Sequence, residues 1–267
     1  MKKIIITLLV LTLSACATSP LGRSQMILIG DAQMNEMGVA SFQKMKTGSK
    51  VSTSTRTKKY VECVSFAIID QLPDNWKQNQ WEVVVFDDDS ANAFALPGGK
   101  IGVHTGLLKV AKNQDQLATV LGHEVAHVLS RHGAERVSQQ FVAQTGMQFA
   151  EAYTNSQVSN NTKQKLIMTG LGLGAQLGVL LPFSRTHETE ADLFGLDLMA
   201  AAGFDPQQSV PLWQNMDAAS GGKRPPQFLS THPEPSNRIK NLSARMERAV
   251  SIQQQARQNG NNPRCSG

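Results

Sequence analysis

The sequence predicts a mainly helical α+β fold in which one small β-sheet lies beside a buried helix. Three observations carry this. Strand-like segments are confined to Trp81–Leu108. Downstream of Asn113 the apolar residues recur at helical spacing. The first helix of that region, DQLATVLGHEVAHVLSRH, is apolar on nearly every side, which places it inside a core. The chain has 267 residues, enough for one sizeable core. With 40% hydrophobic and 18% charged residues it reads as globular, and not as disordered, collagenous or multispan. The net charge of +5 is scattered, with no Lys/Arg block interleaved with aromatics. That balance calls for no nucleic-acid partner and is compatible with an anionic membrane surface.

The elements follow in order. MKKIIITLLVLTLSAC has a basic start at Lys2 and Lys3, an apolar run Ile4–Leu13 and small residues after it. The run is too short for a stable transmembrane helix and reads as a secretory signal over residues 1–15. Its end, LSAC, resembles a bacterial lipobox, which implies cleavage before Cys16 and a lipid on that cysteine. Ala17 is not aspartate, so the sorting pattern resembles that of an outer-membrane lipoprotein facing the periplasm. Residues 16–50 are then expected as a lipid-anchored tether and an N-terminal helix, with Met26–Met45 loosely amphipathic. With Cys16 lipidated, Cys63 and Cys265 are left. In an oxidising compartment they are a candidate disulfide, the alternative being two free thiols.

The main domain is expected over 51–258. Tyr60–Leu72 aligns Val61, Val64, Ile68 and Leu72 on one helical face. WEVVVFDD is a β-branched strand, and NAFALPGGKIGVHTGLL reads as strand, Pro-Gly-Gly turn, strand. Asn113 is placed to cap the next helix, with Gln116 at the capping-box position. Further helices are expected at Ala134–Tyr153, Arg185–Ala202, Pro206–Ala219 and Ser236–Arg257, with a loop-like tail at 259–267. Leu166–Phe183 is apolar and Gly-rich. It reads as a helix packed over the core or a mobile element near the site, with a membrane span as the alternative.

The chemistry concentrates in GHEVAHVLSRHG. Residues four apart on a helix share a face, so His123 and His127 point the same way and together can grip one zinc ion. Glu124 is placed to act as base on a zinc-activated water, then to pass the proton to a leaving amine. A catalytic zinc needs a third protein ligand. SRTHETEADLFG supplies a candidate: Glu188 and Asp192 share a helix face, Glu188 as ligand and Asp192 as acceptor for the free ring N–H of a zinc histidine. Glu190 and His187 point elsewhere on that helix, and His104 and His132 fit no ligand spacing.

Together GHEVAHVLSRHG, SRTHETEAD, NAFALPGGKIGVHTGLL and THPEPSNRI, in this order over roughly residues 55–250, resemble the gluzincin metallopeptidases of family M forty-eight, which include HtpX-type and CAAX-processing proteases. The resemblance implies a zincin-like domain with one Zn2+ held by His123, His127 and Glu188, Glu124 as base and Asp192 behind a ligand. It also implies that Asn92, Ala93, Phe94 and Ala95 form an edge strand beside the zinc that pairs with extended substrate. His232 resembles a histidine that approaches the metal, either stabilising the oxyanion or closing the open position, with Arg238 as a structural or oxyanion neighbour. The chain lacks the several membrane helices of the embedded relatives. It resembles instead a periplasmic lipoprotein branch associated with envelope quality control. The expected partners are therefore unfolded or misassembled proteins, the membrane through Cys16, and the outer-membrane assembly machinery. The rival reading is a chaperone-like assembly factor with a latent zinc site; it leaves Glu124 unexplained, since holding zinc does not require it.

Overall fold

A computed structural model describes residues 16–154, 183–219, 227–233 and 237–266. The expected signal segment and nearly all of Leu166–Phe183 fall outside these. Among the described residues no helix is long and apolar enough to cross a membrane.

The described part begins with an antiparallel hairpin, β1 (Cys16–Thr18) and β2 (Ser24–Met26). The segment expected as a lipid-anchored tether thus forms a hairpin, and the expected N-terminal helix follows it. Gly22, at φ +88°, reverses the chain in a region that L side chains avoid. The returning strand then buries Gln25, whose amide donates to the Ser130 carbonyl at 2.6 Å. Ile29 and Met34 pack with Ala134 and Val137, so residues 16–50 are fixed to the body.

Helix α1 (Asp31–Gly48) covers the sheet, with Phe42 packed edge-on against Phe86 and Phe94. Helix α2 (Thr55–Ile69) starts at Ser54, whose hydroxyl accepts from the Thr57 N–H, and it buries Val61, Val64 and Ile68. A short turn, α3 (Asp74–Lys77), leads to β3 (Glu82–Phe86), β4 (Ala93–Leu96) and β5 (Lys100–His104). The order is β3-β5-β4: β5 runs parallel to β3 and antiparallel to β4, which is an edge strand. After a short α4 (Leu107–Val110), helix α5 (Gln114–Leu129) is capped by Asn113, whose side chain accepts from the Gln116 N–H at 2.8 Å. Gln116 reaches back to the N–H of Lys112, one residue before the cap. Every residue of α5 from Gln116 on is buried. Helices α6 (His132–Thr154), α7 (Arg185–Ala201), α8 (Ser209–Ala219), α9 (Gln227–Thr231) and α10 (Arg238–Gln258) complete the fold, which is mainly helical α+β.

The C-terminal segment is sewn onto this body. Asn261 donates to Gln71 Oε1 and to the Ala201 carbonyl, and the Cys265 N–H donates to Gln114 Oε1. A disulfide joins Cys63 on α2 to Cys265, with Cα atoms 5.7 Å apart.

Candidate metal centre

Two helices build the centre, and two glycines set their distance. A Cβ on Gly122 would meet the Gly195 carbonyl oxygen at 2.7 Å, and a Cβ on Gly195 would meet the His123 nitrogen at 2.7 Å. Only glycine at both positions lets the α5 and α7 backbones touch. That contact brings Glu188, in the first turn of α7, to the histidine face of α5. Ser184 caps α7 by accepting from the His187 N–H at 3.1 Å, which starts the helix one residue before Thr186 and sets the phase of Glu188.

One donor atom each of His123, His127, Glu188 and His232 lie within 4.8 Å of one another, all buried. His127 Nε2 is 3.0 Å from His123 Nε2 and 3.4 Å from Glu188 Oε1. His232 Nδ1 is 3.1 Å from Glu188 Oε1. Imidazole nitrogens with one carboxylate are a donor set that suits Zn2+. The outer atoms are tied back. His123 Nδ1 meets Asp192 Oδ1 at 2.9 Å, and Arg238 donates from Nε to Asp192 Oδ2 at 2.7 Å and from Nη2 to Glu188 Oε2 at 2.8 Å. The Arg238 guanidinium lies 3.9 Å from the Trp213 ring centroid, which fixes its plane.

The charges are consistent with a cation. Burial opposes a charge on His123, but the Asp192 and Glu188 carboxylates outweigh it and hold its pKa up to about 10. Glu188 is also opposed by burial, yet its hydrogen bonds to His123, His127 and His232 keep it far below the usual carboxylate range. The protonation of His123 answers buried negative charge on Glu188 and Asp192, and a divalent cation would answer the same excess. At His127 burial prevails and the ring is neutral, so it has a lone pair to offer.

Glu124 is buried, and burial raises its pKa. Its Oε2 accepts the Ala95 N–H from β4 at 3.3 Å, and His232 Nε2 is 3.4 Å from its Oε1. Oε1 has no hydrogen-bond partner among the described residues. A cleft runs along β4 past this carboxyl, lined by Asn92, Phe94, Ala95, Glu124, Phe183 and His232. Ala93, largely buried, also contributes to its lining. The Phe183 ring stacks on His127 at 4.0 Å, and Phe228 stacks on His232 at 4.4 Å.

The structure thus brings together His123, Glu124, His127, Glu188, Asp192, His232 and Arg238, with β4 alongside. Cys16 begins β1 on the hairpin. His104 stays outside the donor set, its Nδ1 at 2.7 Å from Ser90 Oγ. His132 is also outside the donor set, but it lies directly behind a member of it. Spacing along one helix gives it no role, but α5 ends at Leu129 and Arg131 turns the chain at φ +53°, swinging His132 back to His127 at 2.9 Å between the Nδ1 atoms. Phe183, the last residue of the apolar Leu166–Phe183 segment, is at the site, but the sequence alone assigns its ring no individual contact. Its only sequence signal is an aromatic residue one position before the cap of α7.

Residues 56–246 match Peptidase family M48. The chain is 42% identical over 165 residues to the mitochondrial metalloendopeptidase OMA1 of Schizosaccharomyces pombe, covering 61% of this chain and 46% of that protein. It is 30% identical over 245 residues to the mitochondrial metalloendopeptidase OMA1 of Bos taurus, covering 87% and 46%. It is 26% identical over 229 residues to the beta-barrel assembly-enhancing protease of Escherichia coli K12, covering 85% and 46%. The chain spans about half the length of these relatives.

Proposed function

From the premise that this chain belongs to peptidase family M48, we propose that it is a zinc-dependent endopeptidase. The observation that carries this is the convergence of His123, His127 and Glu188 with a Glu124 oxygen that has no hydrogen-bond partner among the described residues, beside the edge strand β4. Those three side chains would hold the zinc, with His232 as a fourth donor. When bound, the ion supplies a Lewis acid that polarises the peptide carbonyl and acidifies water. The β4 edge aligns an extended substrate by backbone pairing. Glu124 takes the proton of the attacking water at a carboxylate oxygen and delivers it to the leaving amine nitrogen. Its raised pKa suits both steps. Met34, Leu96, Val128, Ala134 and Val137 line an apolar recess next to His127, which suits a substrate with exposed apolar side chains. Burial of such residues in folded proteins makes unfolded or misassembled chains the better substrates.

We place the enzyme in the bacterial envelope, anchored through a lipid on Cys16 to the outer membrane and facing the periplasm, in protein quality control. The Cys63–Cys265 disulfide supports an oxidising compartment. The bacterial relative's name, beta-barrel assembly-enhancing protease, supports an envelope role and contact with assembly machinery. A second reading is a latent site in an assembly factor. It is favoured by His232 Nδ1 standing among the donors, where it would close the position that water needs.

The test is purified full chain with Glu124→Gln. Zinc binding at one per chain should persist while cleavage of an unfolded protein falls by at least about 10²-fold; unchanged cleavage removes the mechanism. His232→Ala separates the two readings, because cleavage rises if the histidine closes the site and falls if it assists the reaction. Envelope proteins trapped by Glu124→Gln and not by wild type would name the substrates.

A further inference from the structure

We infer that His132, Glu190 and Arg23 form a hydrogen-bonded chain that positions His127, so that the N-terminal hairpin is a working part of the metal centre. The inference rests on His127 being a metal ligand through Nε2, as proposed above.

The donors and acceptors decide the direction. A neutral imidazole has one N–H and one lone pair. If Nε2 of His127 offers its lone pair to a metal, the proton is on Nδ1. That N–H points at His132 Nδ1, 2.9 Å away, which must then accept. His132 therefore has its own proton on Nε2, which lies 3.0 Å from Glu190 Oε2 and donates to it. The same Oε2 accepts from Arg23 Nε at 2.8 Å. No link in this chain places two donors or two acceptors face to face.

The arrangement repeats, one residue longer, what stands behind His123. There the ring donates straight to Asp192, which Arg238 holds at 2.7 Å. Behind His127 a second imidazole intervenes before the carboxylate and the arginine. His123 and His127, the two histidines of α5, are thus each backed by a carboxylate–arginine pair, and each pair ties its ring tautomer and tilt.

Arg23 is itself fixed. Its Nη1 and Nη2 donate to Glu135 Oε1 and Oε2 at 2.9 and 2.7 Å, a two-point clamp. Glu135 also accepts from Gln25 at 3.0 Å and is 3.0 Å from His187 Nε2. The His187 ring stacks on His132 at 4.4 Å and holds its plane. Glu190 and His187 flank Glu188 on α7, so one helix turn serves the ligand on one side and this chain on the other. His132 is fully buried, and an apolar residue would fill its space without these bonds.

The test measures zinc affinity of the full chain by chelator competition, alongside unfolding of the metal-free protein. His132→Phe keeps the ring and its stacking and removes both nitrogens. It should weaken zinc binding about 10–100-fold. His132→Asn, which keeps an acceptor for His127, should recover part of the loss. Arg23→Met lies on the half-buried hairpin and should weaken zinc binding in the same direction by less, with the cost of stripping Glu135 and Glu190 of their cation read separately in the metal-free unfolding. Arg245→Met breaks the pair between Arg245 and Asp197 on the other side of α7 and should leave zinc affinity unchanged. The inference is overturned if Arg23→Met binds zinc as wild type does, if the Asn and Phe variants lose equally, or if Arg245→Met loses as much as His132→Phe. Should His132→Phe not fold, Arg23→Met decides alone. A wild type that binds no zinc would defeat the proposed function instead.

Discussion

Gly195→Ala is the most direct probe of how the fold makes the centre. The added Cβ would lie 2.7 Å from His123 N, 2.8 Å from Gly122 C and 2.8 Å from His123 Cα, where ordinary contact begins at 3.4 Å. All three neighbours are backbone, so no rotamer change relieves the overlap. The helices must separate by about 0.7 Å, the difference between 3.4 and 2.7 Å. Overpacking of this kind costs about 1–3 kcal/mol, and the helix preference of alanine over glycine returns about 1 kcal/mol. The expected net loss is therefore about 0–2 kcal/mol, small for unfolding. The larger effect is on the metal. Glu188 is on the displaced helix and the histidines are not, and ligand distances in a metal site tolerate only about 0.2 Å. Zinc affinity should fall at least about 10-fold while the metal-free protein stays folded. Isothermal chelator competition with denaturant unfolding reads both. Gly133→Ala serves as control, because its Cβ would meet only the Met34 methyl at 3.6 Å. If Gly195→Ala binds zinc as tightly as wild type, the close crossing of α5 and α7 does not set the ligand geometry.

Arg238→Met should destabilise the metal-free protein by about 3–5 kcal/mol, since it strips the buried Glu188 and Asp192 of their cation; a loss under about 1 kcal/mol in urea unfolding refutes this. Cys63→Ser should lower stability by about 2–4 kcal/mol, because it releases a cross-link between residues 202 apart, and reduction of the wild type should match it. Glu135 also predicts a pH dependence. Burial opposes its charge, but hydrogen bonds from Arg23 and Gln25 prevail and hold it down to about 2, from an ordinary 4.5. Its folded pKa is the lower one, so its contribution is complete above about pH 4.5 and is lost as the pH falls toward 2. Glu135→Gln should flatten that part of the acid unfolding curve, and an unchanged curve would refute it.

Much of the site is legible along the chain because local periodicity encodes it. The i, i+4 repeat aligns His123 with His127 and Glu188 with Asp192 without reference to anything outside each helix. The strand–turn–strand pattern around Pro97-Gly98-Gly99 gives the β4–β5 hairpin for the same reason. Residues that join the site by departing from periodicity are not legible this way. His132 reaches His127 only because the helix stops and Arg131 adopts φ +53°. Arg23 reaches Glu190 across 167 positions, a contact no local pattern announces. The hairpin at 16–26 is not legible in the sequence, because its strands are only three residues long and mostly polar. Thr18 and Ser24 face solvent, but Gln25 is buried and Arg23 half-buried, and these two complete a buried network.

By itself the sequence determined the kinds of donor available, their pairing on two helix faces and the mainly helical α+β class, since side-chain chemistry and helical pitch are properties of a segment. Tertiary structure decided which segments meet. The Gly122–Gly195 contact selected the distance between the two ligand helices. The ends of helices brought His232, Arg238, Phe183 and His132 around the centre. Those choices depend on long-range packing, where the free energy of burying one surface against another is settled over the whole core and no single stretch of chain contains it.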